Sequence, residues 1–381
     1  ALDTSFNGTG KVTTPIGSND DVAQSVAVQS DGKIVVAGYS SNGSSHDFAV
    51  VRYTSTGALD TSFNGTGKVT TPIGSTDDIG QSVAVQSDGK ILVAGYSWNG
   101  TNHDIALVRY TSAGALDTSF NGTGKVTTPI GGGDDVGRNV VVQSDGAIVV
   151  AGYTNNGSNY DFVVVRYTGA GVIDTTFNGT GKVVTDIGGN DDLASGMVLQ
   201  SDGKIVVSGY SATSNALLFA AVRYTTTGAL DAGFNGSGKV TTQIGGFDSG
   251  LSVAMQTDGK ILVGGYSWNG SDHDFALVRY TSAGALDTNF NGTGYVATPI
   301  GSGGDIGRCV ALQTDGKIVL AGFAANGSGS DFALARYSVA PSSVGVPALP
   351  AWWMQPLIAI ALVLLAMARL ARHPVRIGSS L

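Results

Sequence analysis

The chain has 381 residues, 42% of them hydrophobic and only 13% charged, with 57 glycines and a formal charge of −8. That balance excludes a disordered chain, the lack of a three-residue glycine period excludes collagen, and the negative charge excludes nucleic acid as an expected partner. The last 36 residues carry Arg369, Arg372 and Arg376 and no acid, so the remainder holds −11.

Cys309 is the only cysteine. It rules out an intrachain disulfide, a thiolate metal cluster and CxxC redox chemistry, and it reads as a small buried strand residue. The sequence starts at Ala1 without methionine or a secretory leader, which is expected if a leader has been removed or if the sequence is a piece of a longer one.

Self-comparison gives a period of 57 residues. Ala-Leu-Asp-Thr-Ser-Phe-Asn-Gly begins at Ala1, Ala58 and Ala115, with variants at Val172, Ala229 and Ala285. The fifth unit is one residue short at Gly246–Phe247–Asp248, and a truncated sixth ends near Tyr337. Each unit carries four strand signals, in the first case Ser25–Gln29, Lys33–Ser40, Phe48–Thr54 and Lys68–Ile73. Ser30-Asp31-Gly32 is a hairpin turn signal between the first two. A polar loop, residues 41–47, joins the second to the third, and a longer segment with Leu59, Phe63 and Asn64-Gly65 leads to the fourth.

The strand chemistry orders the strands. Ile34-Val35-Val36-Ala37 and Phe48-Ala49-Val50-Val51 are apolar runs suited to burial on both faces. Ser25-Val26-Ala27-Val28 is apolar but small, which suits a crowded inner place. Lys68-Val69-Thr70-Thr71-Pro72 is polar and ends in proline, an edge-strand residue that Pro15, Pro129 and Pro299 repeat. Four strands graded from a small inner one to a polar outer one describe a propeller blade. The expected fold is therefore all-β, a six-bladed β-propeller over residues 1–338. Its phase predicts ring closure: an outer-strand sequence, Lys11–Ile16, precedes the first inner strand, and the sixth unit stops after a third strand, Phe332–Tyr337. Pairing the two would remove two exposed edges.

These residues resemble the delta-60 repeat family of bacterial β-propeller proteins, whose units read like Ser-Val-Ala-Val-Gln-x-Asp-Gly-Lys-Ile-Val-Val-Ala-Gly, Asp-Phe-Ala-Val-x-Arg-Tyr and Leu-Asp-x-x-Phe. The fourth unit departs from the pattern at Asn215-Ala216-Leu217-Leu218-Phe219. The resemblance implies a propeller in an envelope or extracellular setting and no particular reaction.

A Pro/Ser/Gly linker is expected at 339–350, an uncharged apolar helix at 351–368 and a basic cytoplasmic tail at 369–381. Eighteen helical residues span roughly 27 Å, enough to cross a bilayer core. Trp352 and Trp353 mark one interface and the arginines the cytoplasmic side. Val346-Pro347-Ala348-Leu349-Pro350-Ala351-Trp352 looks like the Ile-Pro-Thr-Leu-Ser-Glu-Trp signature of IPTL-CTERM sorting tails. That resemblance implies a sorting signal comprising Val346, Pro347, Leu349, Trp352, Arg369 and Arg372, read by a processing protease of the inner membrane. A permanent single-span anchor is the other reading. Either places the propeller in the bacterial cell envelope, exported, and either anchored or released.

Candidate site residues lie on one face. Asp21, Asp78, Asp135, Asp192, Asp248 and Asp305 precede the inner strands and are expected to encircle one channel mouth, where they either cap local loops through Asx-type hydrogen bonds or make the mouth negative and attractive to cations and polar ligands. Packed sheets ~10 Å apart put opposite inner strands roughly 15–20 Å apart, too far for a single ion that needs oxygens at about 2.3–2.6 Å. No metal and no cofactor are expected. His103 and His273 sit beside aspartates in the loops after the second strand, as His46 does, but neighbouring residues point to opposite faces and form no dyad. Trp98 and Trp268, in Tyr-Ser-Trp-Asn-Gly of units two and five, are candidate contacts for sugar or protein. Arg52, Arg109, Arg166, Arg223 and Arg279 are expected to pair with Asp60, Asp117, Asp174, Asp231 and Asp287 inside the blades. No nucleophile elbow, phosphate loop or metal-ligand cluster is present. The expected function is therefore non-catalytic binding of a glycan or protein partner through the loop face. A hydrolase or lyase using the acidic mouth, and a purely structural repeat, are the alternatives.

Overall fold

In the computed structural model, residues 1–327 and 329–338 are described. The expected linker, membrane or sorting helix and basic tail lie outside those residues. Among the described residues, no helix is long and apolar enough to cross a membrane.

The first blade is a four-stranded antiparallel sheet of β1 (Asp21–Val28), β2 (Ile34–Ser41), β3 (His46–Tyr53) and β4 (Lys68–Thr71), in that spatial order. Four further blades repeat it, and the sixth has three strands, Asp305–Leu312, Ile318–Ala325 and Ser330–Tyr337. The fold is all-β and fits a six-bladed propeller. Each inner strand starts about four residues earlier than its apolar run suggests, because a β-bulge lets the polar Asp21–Ala23 stretch continue pairing with β2.

Between successive blades lies one apolar cluster. At the first seam Val35, Ala37, Phe48 and Val50 meet Val83, Ile91 and Val93 of the second blade, with Phe63 from the β3–β4 connector wedged in. Asn64 turns that connector at φ 51°, and all five counterparts (Asn7, Asn121, Asn178, Asn235 and Asn291) share the left-handed backbone that asparagine tolerates. The glycine of each second strand reflects a close approach: a Cβ on Gly95 would lie 1.9 Å from the Ile79 carbonyl oxygen.

Ring closure departs from expectation. Lys11–Ile16 forms no strand and does not pair with Ser330–Tyr337. Its anchors all belong to the first blade. The Tyr53 hydroxyl donates to Thr14 Oγ1 at 2.7 Å, Lys68 Nζ to the Pro15 carbonyl at 2.7 Å, and the Ile16 amide to Asp21 at 2.8 Å. The hydroxyl and amide contacts recur at every later outer strand, such as Tyr110 to Thr71, and the lysine contact at three of them. The segment thus lies beside blade one where an outer strand belongs, while among the described residues no strand pairs with the edge of blade six. Phe332 is 104% exposed and Leu334 67%, where their first-blade counterparts Phe48 and Val50 are 0%.

Candidate functional site

The bulges build the site. In the first blade Ala23 pairs with Gly38 and Ser25 with Ala37, leaving Gln24 out of register. The same slip isolates Gln81, Arg138, Ser195, Leu251 and Arg308 in the other inner strands. A bulge re-aims its extra side chain, and all six of these residues line one central channel with a cavity of about 490 Å³. Four are neutral, and Arg138 and Arg308 put two positive charges into the lumen of a negatively charged chain. None of the described residues lining this cavity is a carboxylate.

Arg138 is held by the Gln81 amide oxygen at 3.0 Å and lies over the Tyr153 ring, 5.5 Å from its centre. Arg308 lies 5.6 Å over Phe323, which takes the tyrosine position in blade six. Tyr39, Tyr96, Tyr153, Tyr210 and Tyr266 occupy the same register in the second strands. Burial, then the charge of Asp191 and the nearby Tyr266 and Tyr153, pushes the Tyr210 hydroxyl up to about 12. Burial likewise raises Tyr96, with Tyr153 and Tyr39 adding to it against the pull of Arg138. These tyrosines form a collar of one register in successive blades, near the loops that follow the second strands, with Tyr153 against the channel residue Arg138.

The aspartate ring is not part of this surface. Asp78, Asp135, Asp192, Asp248 and Asp305 are fully buried and Asp21 is half-buried. Each accepts a backbone N–H from the preceding turn, from Ile73, Ile130, Ile187, Ile244, Ile300 and Ile16 at 2.5–2.8 Å. They cap the turn that delivers the chain from one blade to the next, which is the local capping role of the two that the sequence offered for them. Cys309 is exposed beside the channel rather than buried, because the inner strand of blade six has one face on the lumen and no seventh sheet over it.

The loop histidines pair across blades. His103 Nδ1 and its amide reach Asp134 of the next blade at 3.0 and 2.8 Å, and His46 makes the same contacts with Asp77 at 2.8 and 3.1 Å. The His46 ring, opposed by burial and helped by the His46 amide, holds the Asp77 carboxyl below the usual carboxylate range. At blade five the acid position falls on Gly304, so His273 lacks this pairing. Trp98 and Trp268 are half-buried, each edge-on to its own blade's histidine, His103 or His273, with ring centres 5.0 Å apart. The structure therefore brings Trp98 together with His103 and Trp268 with His273. The adjacent aspartates Asp104 and Asp274 instead take the side-chain amides of Asn99 and Asn269.

The expected arginine pairs are present. Arg52, Arg109, Arg166, Arg223 and Arg279 meet Asp60, Asp117, Asp174, Asp231 and Asp287 at 2.7–2.9 Å. Each guanidinium also covers the connector phenylalanine, as Arg52 covers Phe63 at 4.7 Å.

Six antiparallel sheets set around one channel, with a bulge residue from each facing the lumen, define a β-propeller built of repeats. The chain belongs to the DUF5122 β-propeller family, a domain of unknown function, whose model matches residues 29–63, 86–120, 143–177, 200–234, 256–290 and 313–338. No curated protein sequence matches the chain. Among solved structures it is similar to the periplasmic gluconolactonase of Pseudomonas aeruginosa, with 14% identity over 83% of this chain and 88% of that one and a TM-score of 0.46. A gluconolactonase of Xanthomonas campestris gives 12% identity, 78% and 82% coverage and a TM-score of 0.41. A Bacteroides caccae protein of unknown function gives 13%, 69% and 79%, and 0.42. These are distant likenesses, and family membership rests on the repeat match.

Proposed function

We propose that this propeller is a non-catalytic binding module for an acidic glycan, taken at the loop-face mouth of the channel. The observation that carries this reading is the pair Arg138 and Arg308, set on bulges in a lumen whose other bulge residues are neutral. Guanidinium groups bind carboxylate and sulfate bidentately. The tyrosine collar offers hydroxyls and ring faces to a polyhydroxylated ligand, and Trp98 and Trp268 extend the aromatic surface along the loops. Glycoside hydrolysis would need two available carboxylates about 5–9.5 Å apart. The aspartates expected to supply them are committed to turn amides, which weighs against the hydrolase alternative.

The setting we propose is the bacterial envelope, outside the cytoplasm. Its support is the sequence of residues 346–381, with tryptophans before an apolar stretch and arginines after it. Protease accessibility of the propeller in spheroplasts, whose outer membrane has been opened, tests it, and a propeller protected until the inner membrane is lysed would refute it.

Binding is tested by titrating oligouronates and sulfated oligosaccharides into the protein and into Arg138→Gln/Arg308→Gln. Glutamine already fills this position at Gln24 and Gln81, so the fold is preserved. The expected result is binding that weakens with salt and falls at least tenfold in the double variant. Equal affinity for neutral and acidic glycans, or an unaffected variant, would refute the reading.

A further inference from the structure

We infer that the seam between the third and fourth blades holds a hard divalent cation, Ca²⁺ by its ligand chemistry, on Asp161, Asp186 and Asp192. One carboxylate oxygen from each lies within 4.8 Å of the others. Ca²⁺ binds oxygens at about 2.3–2.6 Å, so ligands on opposite sides of one ion stand about 5 Å apart and three such oxygens fit a single coordination sphere.

A second observation points the same way. Asp161 is 4% exposed and Asp192 0%, and Oδ1 of each has no hydrogen-bond partner. Their other oxygens are occupied. Asp161 Oδ2 accepts the Asn156 amide at 2.7 Å, and Asp192 Oδ2 accepts the Ile187 and Gly188 amides at 2.5 and 3.3 Å. The Ser211 hydroxyl adjoins Asp192, so the unpartnered Asp161 Oδ1 is the stronger of the two observations. In the preceding blade the counterpart, Asp135 Oδ1, does receive the Thr154 hydroxyl. Two buried carboxylates gathered with a third, with oxygens left unpartnered, are unfavourable unless a cation joins them.

The third acid is peculiar to this seam. Asp186 stands where the other units have Pro15, Pro72, Pro129, Gln243 and Pro299. Its Oδ1 accepts the Gly189 amide at 2.6 Å, and the nearby Lys239 ammonium is on its carbonyl oxygen at 2.9 Å, not on the carboxylate. Asp186 is exposed and gives the ion a way in from solvent, with water completing the shell. All three donors are carboxylate oxygens, which favours a hard ion over Zn²⁺. A partly open three-carboxylate site belongs with the weaker Ca²⁺ modules, of dissociation constant on the order of 10⁻⁴–10⁻³ M.

The test is titration of the full chain with CaCl₂ by calorimetry, together with thermal unfolding in CaCl₂ and in EDTA. The comparison proteins are Asp186→Pro, which restores the residue of three other seams without removing a bonded amide, and Asp104→Asn, which alters the equivalent seam that lacks a third acid. Saturable Ca²⁺ binding with a rise in melting temperature is expected in the parent and in Asp104→Asn. Asp186→Pro should bind at least tenfold more weakly while unfolding normally in EDTA. No Ca²⁺ stabilisation, equal stabilisation of Asp186→Pro, or a response to Mg²⁺ at the same concentrations would overturn the assignment.

Discussion

Buried aspartates in this protein follow two opposite electrostatic regimes, set by what each one touches. Asp60 is pushed up by burial, but the Ser62 hydroxyl and amide, Arg52 and Lys33 outweigh that and bring it down to about 2. A carboxyl whose pKa is lower folded than unfolded contributes stability above its unfolded pKa, near 4, and loses it as pH falls towards 2. Asp60→Asn should therefore destabilise at pH 5 by more than it does at pH 2.5, as measured by urea unfolding at the two pH values. Asp135 runs the other way: burial raises it despite the Thr154 hydroxyl and the turn amides, so its ionisation weakens the fold as pH rises through that raised value. The turn caps should be sensitive to deletion whatever the pH. Asp248→Ala removes an acceptor from the Ile244 and Gly245 amides and should cost roughly 2–3 kcal/mol, read from the denaturation midpoint. Sequence reasoning found the Arg–Asp pairs, because a charge in an apolar strand must find a partner and one recurs at fixed spacing. It missed Arg138 and Arg308, because strict alternation along a strand has no place for an out-of-register residue. The signal was present all the same: Gln24, Gln81, Arg138, Ser195, Leu251 and Arg308 differ in units that are otherwise nearly identical. His103–Asp134 was hidden for another reason, since its 31-residue separation crosses from one sheet to the next.

Among the elements, the β3–β4 connector does most to join neighbouring sheets. Phe63 is 0% exposed, lies under the Arg52 guanidinium and packs so close to Gly114 that a Cβ there would lie 2.9 Å from its ring. The adjoining Asn64 amide donates to Ala113 of the next blade at 2.7 Å. Phe120→Ala at the equivalent place should cost about 3–5 kcal/mol, seen as a lowered denaturation midpoint. The strands themselves were legible in sequence, since Asp-Gly turns set the hairpins and proline and threonine marked the outer edge. Their starts were not, because the first residues of each inner strand are polar and pair only by virtue of the bulge.

For the whole molecule, the repeat period and strand grading sufficed to name the architecture, but closure depended on contacts between blades that periodicity does not encode. Five seams have a sealed apolar core, whereas the facing surfaces of blades one and six stay open, with Val26 64% exposed against 8% for its counterpart Val83. Leu277 and Leu334 hold the same place in successive units, the first 0% exposed and the second 67%. Leu277→Ala should cost about 2–5 kcal/mol and Leu334→Ala within roughly 0.5 kcal/mol. Equal losses in chemical denaturation would mean that the two end blades meet in solution.

The bulge separates two jobs that a regular strand would force onto the same positions. Residues that hold sheet to sheet sit in register, while the one displaced side chain per blade faces the bore and is free of the apolar seams. Six such sites can be exchanged singly, like pins in a lock, without disturbing the barrel that carries them. Duplication of an almost uniform unit can thereby yield a lumen of mixed character from very few substitutions, and grafting a new selectivity onto this scaffold would begin at those six places.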